Sequence, residues 1–252
     1  MAAPAPTYSL TQKLIWFTNP PILFLCAFFL YRRTDFRSFL GFFCYLLFVA
    51  ATTIATYFVY GHWGYSSYPS FYVGWITNIV SIGISFYVLY EVVRNVLTSG
   101  TLKLSRSNIV LLTSTLLMLA ALISLTFQAK NDVLLSKILF ISENLARFEQ
   151  IGLLITLAIL TLFFGFYWGD LAFGVAVGFG FYAFMQLVGI YGRGRLGPMA
   201  NHAYNLTSAW SYQIASLIWL FYIWKKPKPP LKALPSDKVS EYTEAIERLI
   251  KK

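Results

Sequence analysis

Charged side chains are scarce in this chain, since Asp, Glu, Lys and Arg together make up only 12% of its 252 residues. An ordinary soluble domain has about 25% charged and about 45–50% apolar residues. Here 58% of the residues are hydrophobic and 19% are aromatic, and the mean hydropathy is +0.62. This leaves too little polar surface to cover a water-soluble globule, so the composition predicts an integral membrane protein. It excludes a disordered chain and a nucleic-acid-binding domain, despite the formal net charge of +10.

Cysteine and histidine are nearly absent, with two residues of each type. We expect Cys26 and Cys44 to be small buried apolar side chains, with a disulfide as the less favoured alternative. His62 and His202 cannot supply the three or four ligands of a zinc site, and neither is placed for haem ligation. No predicted span has a mid-span lysine for a retinal Schiff base, and no serine has a neighbouring base. We therefore predict no metal site, and an enzyme is the less favoured class.

Long apolar runs occupy most of the chain. A helix needs about 20 mostly apolar residues to cross a hydrocarbon core of about 30 Å. The alternation of a transmembrane barrel is missing, so we predict an all-α polytopic membrane protein, a bundle of seven transmembrane helices with short connections. The predicted spans are 14–31, 39–60, 71–93, 109–129, 138–168, 171–191 and 199–224.

The spans divide the chain into an external lead at 1–13, the membrane domain at 14–224 and a tail at 225–252. Basic residues favour the cytoplasmic side, and the tail, more than the loops, decides the orientation: N-terminus out and C-terminus in. The tail begins with a basic, proline-rich spacer and continues into a short amphipathic helix near 236–250. We expect it to lie on the inner leaflet or to bind a protein, with a disordered solubilising tail as the alternative.

Proline and glycine mark two positions within the spans. Pro20 and Pro21 lack the backbone donor of a helix interior, which predicts that the first helix is kinked or begins near Pro20. Gly174 and Gly178 stand four residues apart in the sixth span, a spacing that lets helix backbones approach closely. We predict that they serve packing within the bundle first and homodimerisation second.

Ionisable residues inside a bilayer are costly and therefore mark functional positions. In the fifth span, Glu143, Arg147 and Gln150 project from one helix face, whereas Glu149 points towards a second neighbour. A Glu143–Arg147 pair that only neutralises itself is the simpler interpretation. A role of these residues in ligand binding or proton transfer is the alternative.

Polar side chains on three other spans complete a set of candidate ligand-binding residues. If these stripes face one another, the bundle has a weakly polar interior that opens outward, although ordinary interhelical hydrogen bonds are the favoured explanation of any single residue, less so of all of them together. An aromatic loop at 62–69 is predicted at the outer surface, as an interfacial belt or part of a vestibule. The candidates are Asn78, Ser81, Glu143, Arg147, Gln150, Gln186, Asn205 and Tyr212.

Short stretches resemble an uncharacterised family of bacterial seven-helix integral membrane proteins. The resemblance covers about residues 14–224 and implies the architecture and the bacterial cytoplasmic membrane, but no activity. The matching stretches are Tyr31-Arg32-Arg33, Phe39 to Tyr45, Tyr90 to Val93, Arg147 to Leu154 and Phe173 to Phe181.

Three classes of function stay open. The leading hypothesis is a non-enzymatic membrane protein that binds a small apolar or amphipathic ligand within the bundle, or that serves as a membrane subunit of a larger assembly. The alternative is a transporter or channel for a small solute or ion that uses the charged fifth helix, and an intramembrane enzyme is least favoured. We identify no cofactor, although a bound lipid or pigment fits the hypothesis. Expected partners are membrane lipids, and a second copy or a complex partner held partly by the tail; none is a nucleic acid.

Overall fold

A computed structural model of the chain describes residues 10–64, 67–98, 134–164, 169–196 and 201–225. Within these ranges the protein is helical, with six α-helices, one 3₁₀ turn and no strand. The helices are α1 (Leu10–Tyr31), α2 (Leu40–Trp63), α3 (Tyr68–Thr98), α4 (Leu134–Phe164), α5 (Asp170–Leu196) and α6 (Asn201–Trp224), and the 3₁₀ turn is Phe36–Phe39.

Four segments of the described helices are long and apolar enough to cross a membrane: Leu14–Tyr31, Phe36–Trp63, Tyr68–Val96 and Asp170–Gly192. They confirm the prediction of an all-helical integral membrane protein. Helices α4 and α6 coincide with the predicted fifth and seventh spans. The predicted fourth span, 109–129, lies outside the described residues, so the count of seven stays a prediction.

The six helices are arranged as a ring. Each helix packs on the next described helix, α6 returns to pack on α1, and α3 also contacts α5. Such a ring places one face of every described helix towards a common interior, where buried side chains from all six helices, including Leu153 and Leu157 on α4, form a continuous apolar core. The opposite faces carry exposed large apolar side chains, as expected of a surface in contact with lipid.

One end of the bundle is tied together by polar groups at helix termini, and we call it the closed end. The carboxylate of Glu91 on α3 accepts the backbone N–H groups of Gly41 and Phe42 at 2.7 and 3.0 Å, in the first turn of α2. The guanidinium of Arg33 donates to three backbone carbonyls at the end of α6, those of Tyr222, Ile223 and Lys225. These contacts satisfy backbone groups that helix ends leave without intrahelical partners.

An aromatic cluster fills the bundle next to the closed end. Around Trp219, which is fully buried, the ring centroids of the other members lie 5.0–6.0 Å away, in edge-on or tilted arrangements. Rings at such distances and angles attract one another beyond the area they bury. The aromatic cluster consists of Phe42, Tyr45, Phe179, Tyr212 and Trp219.

Gly174 and Gly178 make close packing of α5 on α6 possible. A Cβ at position 178 would overlap the indole of Trp219, and one at 174 would overlap the ring of Tyr222. With both side chains absent, the Trp219 indole reaches α5 and donates to the carbonyl of Val175 at 3.3 Å. The prediction that the two glycines serve packing within the bundle is confirmed.

Two expectations differ from the structure. Helix α1 begins at Leu10 and runs through Pro20 and Pro21, so a start near Pro20 is wrong. Cys26 is buried as predicted, but Cys44 is exposed on α2, and both cysteines are free. Side chains that point from a helix to lipid and those that point to the interior are equally apolar in a membrane protein, so composition alone did not distinguish them.

Candidate functional site

A cavity of about 250 Å³ lies between the six described helices, on the far side of the aromatic cluster from the closed end. Tyr45 and Tyr212 belong to the aromatic cluster and also line the cavity. Its wall is mixed: each of the six helices contributes at least one polar side chain, beside apolar ones such as Ile15, Val49 and Ile82. The cavity is therefore a partly polar space within the part of the bundle that composition assigns to the membrane.

Arg147 on α4 is the charged residue in the described cavity wall, and it contacts Gln150 and Tyr182. Its Nη1 donates to Oε1 of Gln150 at 3.1 Å, and its guanidinium lies 4.6 Å from the ring centroid of Tyr182. Gln150 is itself held, because its Nε2 donates to Oγ of Ser85 on α3 at 3.0 Å. Arg147 is only 7% exposed, so its position is set by packing as well as by these contacts.

Amides and hydroxyls surround the same cavity. Asn19 on α1 donates through Nδ2 to Oε1 of Gln213 on α6 at 3.1 Å, which joins the two helices that close the ring. Its Oδ1 and the hydroxyl of Tyr212 are buried without a hydrogen-bond partner among the described residues. Asn78 and Ser81 on α3 complete the polar part of the wall. Because a buried polar group without a partner is unfavourable, these atoms are places where a guest molecule or water gains a hydrogen bond.

The structure brings together five of the eight predicted site residues. Asn78, Ser81, Arg147 and Tyr212 line the cavity. Gln150 stands behind Arg147 and positions it. The face predicted from helical spacing on the fifth span is therefore the face that meets the cavity, as far as Arg147 and Gln150 are concerned.

The remaining predicted residues are placed differently. Gln186 lies between α5 and α6, where it donates to Oγ of Ser208 and accepts from the hydroxyl of Tyr204 at 3.2 Å, and it does not line the cavity. Its contacts are the interhelical hydrogen bonds that were the alternative explanation. Glu143 lies on α4 and Asn205 on α6, but their side chains fall outside the described part of the structure.

Among the residues of the cavity wall that were not predicted are Asn19, Tyr45 and Tyr182. Asn19 stands before two prolines, whose effect on the helix backbone is the stronger local signal. Tyr45 and Tyr182 occur in aromatic-rich runs, where nothing separates a tyrosine that faces the interior from one in an interfacial belt. The signal for Asn19 was present, since an amide within a transmembrane helix is itself unusual.

Helix α4 carries a second set of buried polar groups away from the cavity. Glu149 is 3% exposed and Asn144 is 1% exposed. Within the described ranges, Oε2 of Glu149 and both side-chain amide atoms of Asn144 have no hydrogen-bond partner. Glu149 does not line the cavity, in keeping with the prediction that it points away from the face of Arg147.

Comparison with known proteins gives the site no precedent: no family model, curated protein sequence or solved structure matches the chain. Across the described residues no three His, Cys, Asp or Glu side chains are grouped closely enough to hold a metal ion. The cavity can hold a small molecule by one cation, several hydrogen-bond donors and an apolar wall.

Proposed function

We propose that this protein is a non-enzymatic integral membrane protein that binds a small amphipathic ligand within its helix bundle. The observation that carries the proposal is the cavity, which collects Arg147, Asn78, Ser81 and Tyr212 beside an apolar wall. Sites for small molecules are concave and mostly apolar, with a few converging polar groups, and they commonly occur between the helices of bundles. A lipid or a pigment bound in the membrane is a ligand of this kind.

The energetics of the membrane interior support binding. An arginine at the centre of a helix lowers the favourable free energy of membrane insertion by about 2.5–3.5 kcal/mol, so an arginine kept there calls for a compensating role. Packing in the aromatic cluster shows that this bundle can fill its interior with apolar rings, yet the neighbouring space is left open and polar. Binding of a molecule that covers these polar groups accounts for both features.

The alternative is a transporter or channel that uses α4, which carries Arg147 and the buried Glu149. A transport path through the described helices would continue from the cavity past Trp219, where the aromatic cluster fills the interior. Transport therefore requires the aromatic cluster to move apart, whereas binding requires no such change. A membrane subunit of a larger assembly, joined to a second copy or another protein partly through the tail, is compatible with the same cavity.

A cavity-filling substitution tests the proposal. Ala209 lines the cavity and Ala203 is exposed on the same helix, so Ala209→Phe and Ala203→Phe introduce the same ring inside and outside the bundle. Small molecules that co-purify with each protein are extracted and quantified by mass spectrometry. We expect the parent and Ala203→Phe to retain a ligand near one per chain, and Ala209→Phe to retain about tenfold less. Equal retention by both variants, or no ligand in the parent, contradicts the proposal.

We further propose the orientation in which the closed end faces the cytoplasm, in a bacterial cytoplasmic membrane, as part of a seven-helix protein. Thr34 is exposed just before the apolar segment Phe36–Trp63, and His62 is exposed at the opposite end of that segment. In a chain with Cys26 and Cys44 replaced by alanine, a cysteine at position 62 should react with an impermeant thiol reagent on intact cells. A cysteine at 34 should react only after lysis, and the reverse pattern contradicts the orientation.

A further inference from the structure

The connection between α1 and α2 at the closed end is short and basic. The apolar segment of α1 ends at Tyr31 and the next one begins at Phe36. Arg32 directly follows the first segment, and Arg37 is the second residue of the next one. The polar region that contains the phosphate groups of a bilayer adjoins its hydrocarbon core, so both arginines stand at the level of lipid head groups.

The arginines of this connection have different surroundings. The guanidinium of Arg33 is bound by the carboxylate of Asp35 at 2.9 Å and by backbone carbonyls at the end of α6. Arg32 and Arg37 are exposed, and within the described ranges neither guanidinium forms a hydrogen bond or an ion pair with a protein group. Asp35 is the only acidic residue in the connection, and Arg33 neutralises it. The charges of Arg32 and Arg37 are therefore available to an anion.

Aromatic rings on α1, the 3₁₀ turn and α2 pack together beside these arginines. The ring of Phe36 lies 5.3 Å from that of Tyr31 and 5.1 Å from that of Phe43, measured between centroids. The guanidinium of Arg32 lies over the ring of Phe28, 4.5 Å from its centroid. Stacking on a ring fixes the plane of a guanidinium and leaves its N–H donors for an acceptor at its edge.

An apolar face leads from these rings along α1. Phe24, Phe28 and Tyr31 recur at helical spacing and are 45%, 48% and 64% exposed. The ring of Tyr31 also lies 6.4 Å from that of Phe43, so this face borders α2. Exposed rings below a pair of arginines match a molecule with an anionic head and long apolar chains.

We infer that the connection between α1 and α2 binds an anionic phospholipid, with its phosphate on Arg32 and Arg37 and an acyl chain along Phe24 and Phe28. An arginine fork binds phosphate oxygens through two parallel hydrogen bonds. The net charge of an anionic lipid complements two arginines, whereas the ammonium group of a zwitterionic lipid opposes them. None of these four residues lines the described cavity, so the inference does not depend on the proposed function.

The test uses the full chain in a neutral detergent and three probes: dioleoylphosphatidylglycerol, dioleoylphosphatidylcholine and glycerol 3-phosphate. Native mass spectrometry counts the bound probe during a titration. We expect phosphatidylglycerol to bind about ten- to thirtyfold more tightly than phosphatidylcholine, because two basic groups contribute. Glycerol 3-phosphate should show no saturable binding. Equal affinity for the two lipids overturns the inference, and glycerol 3-phosphate that binds as tightly as phosphatidylglycerol identifies a soluble phosphate instead.

Two substitutions locate the site. Arg32→Gln and Arg37→Gln should each lower the preference for phosphatidylglycerol about three- to sixfold, and the double variant should reduce it to below about twofold. Both side chains are exposed and donate to no described protein group, so these variants should melt like the parent. A preference that survives in the double variant overturns the inference.

The matched control is Lys225→Gln, which removes one positive charge at the same end of the bundle. This lysine is paired with Asp170, so the substitution should leave the preference for phosphatidylglycerol unchanged. A loss as large as that in Arg32→Gln overturns the site, because lipid binding would then follow net charge alone.

The ring beneath Arg32 provides a finer test. Phe28→Leu keeps an apolar side chain but removes the stacking, and Arg32→Lys keeps the charge but removes the planar fork. Each should weaken phosphatidylglycerol binding about two- to fivefold. Affinity unchanged in both variants overturns the assignment of Arg32 to the phosphate.

Ala209→Phe separates this site from the cavity. Because Ala209 lines the cavity, the variant should lose the co-purified ligand of the proposed function and bind phosphatidylglycerol like the parent. Phosphatidylglycerol binding that is lost in Ala209→Phe but kept in the double arginine variant overturns this inference and supports the cavity as the lipid site. Retention of a co-purified ligand by Ala209→Phe contradicts the proposed function alone.

Discussion

At the closed end, ionic groups bind backbone atoms at helix ends, whereas the guanidinium beside the cavity contacts side chains. Glu91 accepts two N–H groups of α2, and Arg33 donates to carbonyls of α6 as well as to the carboxylate of Asp35. Arg147, by contrast, contacts the amide of Gln150 and the ring of Tyr182. Backbone atoms at a helix end cannot turn away without unwinding the helix, but a glutamine can change rotamer. The first arrangement fixes the fold, and the second leaves groups that can adjust to a ligand.

The same comparison extends to charge and helix direction. The carboxylate of Glu91 contacts the N-terminus of α2, and the guanidinium of Arg33 contacts the C-terminus of α6. A helix dipole favours an anion at the first position and a cation at the second. Arg147 lies in the middle of α4, where the dipole offers nothing comparable. Helix dipoles therefore favour the charged groups at the closed end, whereas no helix dipole favours the charge of Arg147 beside the cavity.

The largest loss of stability is expected for Gly178→Leu, where α5 packs on Trp219 of the aromatic cluster. A side chain there meets the indole of Trp219, which is buried on all sides, so the helices must separate. We expect a loss of about 3 kcal/mol or more in the free energy of unfolding, at the upper end of overpacking effects. Thermal unfolding in detergent measures it. Gly83→Leu on α3 is the control, because nothing lies within 4 Å of a Cβ there; equal melting of the two variants would show that α5 and α6 are not in close contact.

The next effect concerns the carboxylate of Glu91. Glu91→Ala leaves the N–H groups of Gly41 and Phe42 buried without their acceptor, and we expect a loss of about 2–3 kcal/mol. Glu91→Gln keeps one acceptor oxygen and should lose about half as much. Unfolding by titration with a denaturing detergent gives both values. A Glu91→Ala protein as stable as the parent would mean that water reaches the start of α2.

A matched pair of asparagines compares the two regions directly. Nδ2 of Asn95 donates to the carbonyls of Ser38 and Glu91 at 3.1 and 2.8 Å, near the closed end. Asn78 lines the cavity. We expect Asn95→Leu to lower stability by about 1–2 kcal/mol and Asn78→Leu to change it by less than about 0.5 kcal/mol. The same unfolding titration measures both, and equal effects would erase the proposed difference between the regions.

The smallest effect is expected for Lys225→Ala. Nζ of Lys225 lies 3.2 Å from Oδ1 of Asp170, but the lysine side chain is 37% exposed. Exposed ion pairs contribute below about 1 kcal/mol and are screened by salt. Melting temperatures of Lys225→Ala and the parent should differ by little at low salt and agree at high salt. A large difference in melting temperature that persists at high salt would contradict the prediction that this ion pair is weak and screened.

Features that depend on neighbouring residues in the sequence could be predicted, whereas contacts between distant residues could not. The membrane class and the approximate helices depend on local composition, and the described residues confirm them. The contact of Arg147 with Gln150 depends on spacing along one helix, which the sequence shows directly. The role of Glu91 was not predicted, because the start of α2 lies 50 residues away and no local pattern joins them.

The cavity wall illustrates the same limit on a smaller scale. Asn78 and Ser81 were predicted because polar side chains are conspicuous in an apolar span. Gln186 was equally conspicuous, yet it bonds Ser208 and Tyr204 instead of facing the cavity. Polarity indicates that a side chain avoids lipid, but the packing of distant helices decides which interior partner it meets.

The contact between α1 and α6 also has a consequence for biogenesis. Helix α6 is synthesised after every other described helix, yet Asn19 on α1 needs Gln213 and Arg33 needs the end of α6 as bonding partners. These polar groups of α1 therefore lack their α6 partners until α6 has been inserted into the membrane. Helices α5 and α6, which are neighbours in the chain, can interlock as soon as both have entered. The contacts between α1 and α6, and the polar cavity that both helices line, can therefore form only after α6 has entered the membrane.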